Sequence, residues 1–93
     1  MANIKSALKN IRQSERKRER NQVFRSRART LVKKTRLLIK AGELEQAQET
    51  ARLAAKALDK AAQKRIIHPN NAARRKSRLM KQLNQAVEVQ AAQ

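Results

Sequence analysis

A single glycine and a single proline interrupt this chain of 93 residues, and their positions constrain its fold more than any other feature. Gly42 and Pro69 divide the chain into three segments that are rich in Ala, Leu, Gln, Glu, Lys and Arg. These residue types favour helix, whereas Gly and Pro interrupt it. We therefore predict an all-α fold with helix one over about residues 6–40, helix two over 43–64 and helix three over 69–89.

The larger apolar residues and alanines of each segment recur at spacings of three and four, which is typical of a helix packed in a bundle. Because the two connections are short, neighbouring helices should be antiparallel. The expected architecture is an up-down-up three-helix bundle, formed as a single domain over residues 1–93, with Ile66 and Ile67 as an apolar plug before helix three. The predicted buried stripes are Phe24, Ala28, Leu31, Thr35 and Leu38; Leu44, Ala47, Ala51, Ala54, Leu58 and Ala61; and Leu79, Leu83 and Ala86.

The N-terminal part of helix one differs from the rest, because no large apolar side chain occurs between Ile11 and Val23. From Lys5 to Arg29 the chain has ten Lys or Arg residues and two Glu residues. A helix that is polar on all sides has no face to bury against its own protein. We therefore expect a long, basic N-terminal helix that projects beyond the bundle.

The formal net charge of +17 is concentrated at the two ends of the chain. Residues 1–40 carry a net +12, residues 41–60 a net −1 and residues 61–93 a net +6. In the expected topology, the start of helix one, the end of helix two and the start of helix three share one pole, and Glu43, Glu45 and Glu49 lie at the other. Charge of this size indicates a nucleic-acid partner or an anionic membrane surface.

No pattern in the chain predicts an enzyme, a cofactor or a metal site. The single His68 has no Cys or second His to share a metal with, so a helix cap or a phosphate contact is the favoured interpretation. Asp59 lies near Lys56 and Lys60 and is expected to form an ordinary surface pair. No stretch approaches the roughly 18–20 apolar residues of a membrane span.

Folded RNA suits this chain better than other nucleic acids, because a helix that is basic all round fits a crevice between several phosphate backbones. Single-strand binders stack bases on aromatic side chains, and this chain has one Phe, at a predicted core position. A nucleoid-type protein that compacts DNA is the alternative. A membrane-surface helix is a third interpretation, which the absence of an apolar face over residues 12–22 disfavours.

Short blocks along nearly the whole chain resemble the bacterial small-subunit ribosomal protein S-twenty family. The departures are Arg65, where that family often has Gly, and Pro69 and Asn71, where it often has Lys. The matching blocks are Ala2-Asn3-Ile4-Lys5-Ser6-Ala7, Lys9, Arg12, residues 16–21, Arg25-Ser26, Thr30, Ala41-Gly42-Glu43-Leu44, Ala57-Leu58-Asp59-Lys60-Ala61-Ala62, Ile67-His68, Asn70 and residues 72–79.

The resemblance implies a non-enzymatic protein of the small (30S) subunit that binds the 5′ domain and the 3′ minor domain of 16S ribosomal RNA. It implies a monomer within the subunit and a cytoplasmic location, with a plastid as the alternative source. Together with the basic pattern, it predicts RNA contacts at Asn3, Lys5, Ser6, Lys9, Arg12, Arg16, Lys17, Arg18, Arg20, Asn21, Arg25, Ser26, Arg29, Thr30, Lys33, Lys64, His68, Asn70, Arg74, Arg75, Lys76 and Arg78.

Overall fold

The protein is all-α in the computed structural model, which describes residues 2–92, with side chains from residue 4 onward. Helix α1 spans Ala2–Ala41, α2 spans Leu44–Gln63 and α3 spans Pro69–Ala92, and residues 2–92 contain no strand. The predicted fold class is confirmed, although α1 begins four residues earlier than expected and α3 ends three residues later. The predicted RNA contact of Asn3 lies outside the described side chains.

The first turn ends α1 at Gly42, which has a left-handed backbone with φ of +81°. The Gly42 N–H donates to the Ile39 carbonyl at 3.1 Å, and the Glu43 N–H donates to the Leu38 carbonyl at 3.0 Å. These two bonds form a Schellman motif, which satisfies the last carbonyls of the helix. The predicted glycine stop is therefore confirmed, and α2 runs back along α1.

The second turn repeats this motif with Arg65 in the place of glycine. The Arg65 N–H donates to the Ala62 carbonyl at 3.0 Å, the Ile66 N–H donates to the Ala61 carbonyl at 2.9 Å, and Arg65 has φ of +60°. A side chain with a Cβ is disfavoured in this region by about 1–2 kcal/mol. The buried side chain of Ile66 follows at once and anchors the turn, as predicted for the apolar plug.

Helix α3 begins at Pro69 and is capped by the residue before it. The Nδ1 atom of His68 accepts a hydrogen bond from the Asn70 N–H at 3.1 Å. The His68 carbonyl accepts from the N–H groups of Asn71 and Ala72. The predicted cap role of His68 is therefore present in the structure.

The core lies along α2, whose small side chains let α1 and α3 approach closely. One buried cluster joins Ala47, Ala51 and Ala54 to Leu79 and Leu83 of α3, and a second joins Leu58 to Ala28 and Ala72. Helices α1 and α3 make far fewer contacts with each other than either makes with α2.

Two residues of the predicted α1 stripe, Thr35 and Phe24, are not ordinary buried apolar side chains. Thr35 is fully buried, and its hydroxyl donates to the Leu31 carbonyl at 2.8 Å, so its polar atom is satisfied inside its own helix. Phe24 is only half-buried, and the Nζ of Lys64 lies 4.7 Å from its ring centroid. The expected core position of Phe24 is thus at the margin of the core, because α2 ends at this level.

The N-terminal part of α1 extends beyond the other helices. All side chains of residues 4–20 are exposed, and Asn21 is the first half-buried residue along α1. The molecule measures 73 × 22 × 14 Å along its principal axes. The prediction of a projecting helix is confirmed, and we call residues 4–20 the arm.

Candidate nucleic-acid interface

The arm presents its basic side chains to solvent without compensation from the rest of the protein. Among the described residues, the ion pair between Lys76 and Asp59 is the only one, so neither Glu15 nor Glu19 neutralises a neighbour. Like charges at i,i+4 positions, such as Arg12 with Arg16 and Arg16 with Arg20, repel and destabilise an isolated helix. The arm therefore favours a partner that supplies negative charge. Its predicted contact residues are Lys5, Ser6, Lys9, Arg12, Arg16, Lys17, Arg18 and Arg20, all exposed.

At the base of the arm, α1 meets the connection between α2 and α3. The Arg25 Nη2 donates to the Ile66 carbonyl at 3.1 Å, and Lys64 lies over the ring of Phe24. These contacts place the middle of α1 beside the end of α2 and the start of α3. The middle of α1, the end of α2 and the start of α3 therefore meet at one pole, whereas the start of α1, which was also predicted there, projects beyond them as the arm.

A cavity of about 340 Å³ opens where these three segments meet, and we call it the junction cleft. Arg25 and Arg29 line it from α1, His68 lines it from the turn before α3, and Asn71 and Arg75 line it from the start of α3. No carboxylate lines the cleft among the described residues. Its apolar lining consists of Ala28, Leu58, Ala61, Ile66 and Ile67.

The first turns of α3 carry the remaining basic cluster. Arg74, Arg75 and Arg78 are exposed, whereas the Lys76 Nζ binds both carboxylate oxygens of Asp59, at 2.9 and 3.0 Å. The expected pairing of Asp59 with a lysine of its own helix is wrong. The antiparallel packing of α3 on α2 brings Lys76 to Asp59 instead. The positive charge of Lys76 is therefore offset by this ion pair, whereas Arg74, Arg75 and Arg78 form no ion pair among the described residues.

The exposed polar residues of α1 divide between two faces. Arg25 and Arg29 line the junction cleft, but Ser26 and Thr30 line a separate shallow groove beside Val23 and Leu31. Successive residues of a helix differ by about 100° around its axis, which accounts for this separation. Lys33 is exposed one turn beyond Thr30. The structure therefore does not bring all predicted α1 contacts to one site.

The predicted contacts leave out three residues that the structure places in this region. Asn71 lines the junction cleft, Arg27 lines the shallow groove, and Arg65 is exposed at the left-handed turn. The basic run over Lys5–Arg29 contained a signal for Arg27. Nothing in the sequence pattern marks Asn71, because its position depends on how α3 packs.

The opposite pole differs in charge. Glu43 and Glu45, which are both exposed, follow Gly42 of the first turn. They line a shallow cavity together with Gln90, near the end of α3. Within residues 2–92, no group of three His, Cys, Asp or Glu side chains is placed to hold a metal. None of the three helices has an apolar stretch long enough to cross a bilayer.

Comparison with known proteins identifies the family. The family model for Ribosomal protein S20 matches residues 2–84. A small ribosomal subunit protein bS20 of Thermomicrobium roseum is 55% identical over 87 residues, covering 94% of this chain and 88% of that protein. The bS20 protein of Dehalococcoides mccartyi is 50% identical over 86 residues, covering 92% of this chain and 98% of that protein. The bS20 protein of Geobacillus thermodenitrificans is 50% identical over 84 residues, covering 90% of this chain and 94% of that protein. This chain therefore belongs to the ribosomal protein S20 family.

Proposed function

We propose that this chain is a structural protein of the small ribosomal subunit and that it binds 16S ribosomal RNA directly. The observation that carries the proposal is the arm, whose seven Lys and Arg residues between Lys5 and Arg20 project into solvent from a helix with no apolar partner. Lys and Arg side chains gain most of their affinity for nucleic acid from phosphates and from the release of condensed counterions. Phosphate and ribose contacts therefore dominate the proposed interface.

The aromatic content supports this mode of binding. Phe24 is half-buried with a lysine over its ring, and the chain has no Trp or Tyr. Lys64 occupies one face of that ring, so a base would compete with this lysine for that face. Recognition by shape, phosphate and 2′-OH is the mode that folded RNA allows.

The proposed interface has two parts, the arm and the junction cleft with the first turns of α3. The resemblance to the S-twenty family implies that these two parts together contact the 5′ domain and the 3′ minor domain of 16S ribosomal RNA. A molecule 73 Å long, with basic groups from its tip to its middle, is suited to reach two separate RNA segments. Exposed serine, threonine and asparagine side chains add hydrogen bonds to phosphate and sugar.

The S20 family consists of structural ribosomal proteins and not of enzymes, which confirms the non-enzymatic interpretation. In a bacterium such a protein works in the cytoplasm, as predicted. A DNA-compacting protein would also account for the net charge of +17, but the arm continues into a packed helix and is not a free repetitive tail, which favours the ribosomal interpretation.

Two measurements test the proposal. The native protein should co-sediment with the small ribosomal subunit from a cell extract at physiological salt. The purified chain should bind a transcript of the 16S 5′ domain with an affinity that falls with salt, by a logarithmic slope of about 0.7–0.9 per phosphate contact. Equal affinity for an unstructured RNA or a DNA duplex of the same length would contradict specific recognition of folded ribosomal RNA.

A further inference from the structure

We propose that the junction cleft is a preformed site for one phosphodiester group of an RNA backbone, held by Arg25, Arg29, His68 and Arg75. The inference rests on the proposed function, since RNA supplies the phosphodiester. It adds that this site is already formed in the free protein and binds a single phosphate in a defined pocket. The arm, in contrast, distributes its basic side chains along an exposed helix.

Arg25 is held in position before any ligand arrives. Its Nη2 donates to the Ile66 carbonyl at 3.1 Å, which ties α1 to the turn before α3. A guanidinium group has five N–H donors in a fixed plane, so most of them remain available for a phosphate. Arg25 is also exposed, and the tie therefore orients the group without hiding it.

His68 is oriented by the same turn. Its Nδ1 accepts the Asn70 N–H at 3.1 Å, and a neutral imidazole that accepts at Nδ1 carries its proton on Nε2. The exposed ring therefore has one N–H donor that does not serve the cap. Because His68 lines the cleft, its Nε2–H is a candidate donor to a bound phosphate.

Arg29 and Arg75 complete the cleft from α1 and α3. Both are exposed, and among the described residues neither has a side-chain hydrogen bond or an ion pair. The carboxylate of Asp59, close in sequence to the cleft-lining Leu58 and Ala61, is occupied by Lys76. Arg25 and Arg29 of α1, His68 of the turn and Arg75 of α3 thus line one concave site of about 340 Å³ that, among the described residues, has no lining carboxylate.

The first test uses the full chain and small anions. Dimethyl phosphate, a phosphodiester without sugar or base, is titrated at constant ionic strength and compared with chloride by NMR. The expected result is saturable shifts at the side-chain N–H signals of Arg25, Arg29 and Arg75 and at the His68 ring, with smaller linear shifts at Arg16 and Arg20. Linear shifts of equal size at the arm and the cleft, or none at the cleft, would overturn the proposal.

The second test uses RNA and a matched pair of double variants. Arg29→Gln with Arg75→Gln removes two cleft charges that make no internal bond, and Arg52→Gln with Lys56→Gln removes two exposed charges from α2. Circular dichroism should show both variants folded. The cleft variant should lose the saturable dimethyl phosphate shifts and lower the salt slope of RNA binding by about 0.7–0.9 for a single phosphate contact, whereas the α2 variant should change neither.

The outcomes separate this inference from the proposed function. If the unmodified chain fails to bind the 16S 5′ domain transcript, the proposed function fails. If the unmodified chain binds the RNA and the cleft variant binds it with the same affinity and salt slope, the RNA-binding function stands and the cleft proposal is wrong.

Discussion

At the scale of single residues, Arg65 holds a backbone conformation that suits glycine better. Its φ of +60° forms the turn that ends α2, and its side chain is exposed. We expect Arg65→Gly to raise the free energy of unfolding by about 0.5–1 kcal/mol, since relief of the left-handed strain exceeds the added freedom of the unfolded chain. Urea denaturation measures this change.

Arg52→Gly is the control for that substitution. Arg52 lies in the middle of α2 and is exposed, so glycine there should lower the free energy of unfolding by about 1 kcal/mol. A loss of stability in both variants would mean that Arg65 is not strained.

Phe24 gives a second prediction at this scale. Because its ring is half-buried beneath Lys64, Phe24→Leu should lower the free energy of unfolding by only about 1 kcal/mol, from the lost cation–π contact and some packing. Leu58→Ala, in the fully buried cluster, should lower it by about 2–5 kcal/mol. The folded Phe24→Leu variant should bind RNA with unchanged affinity. If its binding were abolished, base stacking on Phe24 would have to replace the phosphate-dominated interface.

At the scale of the helical elements, α1 joins two parts that should differ in stability. Residues 4–20 make no packing contact that buries them, whereas Ala28 and Thr35 are buried against the other helices. We predict that in free protein the amides from Arg12 to Asn21 exchange rapidly with solvent, and that those from Ala28 to Ile39 are protected. Bound RNA should protect both sets by supplying counter-charge. Strong protection of the arm without RNA, at physiological salt, would contradict this expectation.

The sequence predicted the helices of this fold better than it predicted the contacts between them. The stripes over Ala47–Ala61 and Leu79–Leu83 and the stop at Gly42 follow from local periodicity and backbone preference, and the structure confirms them. The pairing of Lys76 with Asp59 depends on how α3 docks, which no local pattern encodes. For the same reason, the sequence suggested a basic pole but not the junction cleft within it.

At the scale of the whole molecule, the opposite charges of the two poles give a prediction about RNA binding. Reversal of charge by Arg16→Glu, Lys17→Glu and Arg20→Glu should reduce binding to the 16S 5′ domain steeply, since it replaces attraction to phosphate with repulsion. Neutralising the far pole by Glu43→Gln, Glu45→Gln and Glu49→Gln should not weaken binding. Electrophoretic mobility shift at fixed salt compares the two sets. Equal losses would contradict the assignment of RNA contact to one pole.

The continuity of α1 has a mechanical consequence. The helix runs without a break from Ala2 to Ala41, so Ile4 in the arm and Ala28 beside the junction cleft are separated by about 36 Å of regular helix at ~1.5 Å per residue. Once RNA has ordered the arm, a continuous helix and not a flexible linker fixes the distance between the arm and the junction cleft. Replacing Asn21 and Gln22 by glycine would keep every charge but introduce a flexible joint. We expect such a variant to bind both RNA segments while allowing their separation, read as energy transfer between dyes on the two segments, to vary more widely. With its native, unbroken α1, the protein would serve as a spacer that sets the distance between two parts of a larger assembly.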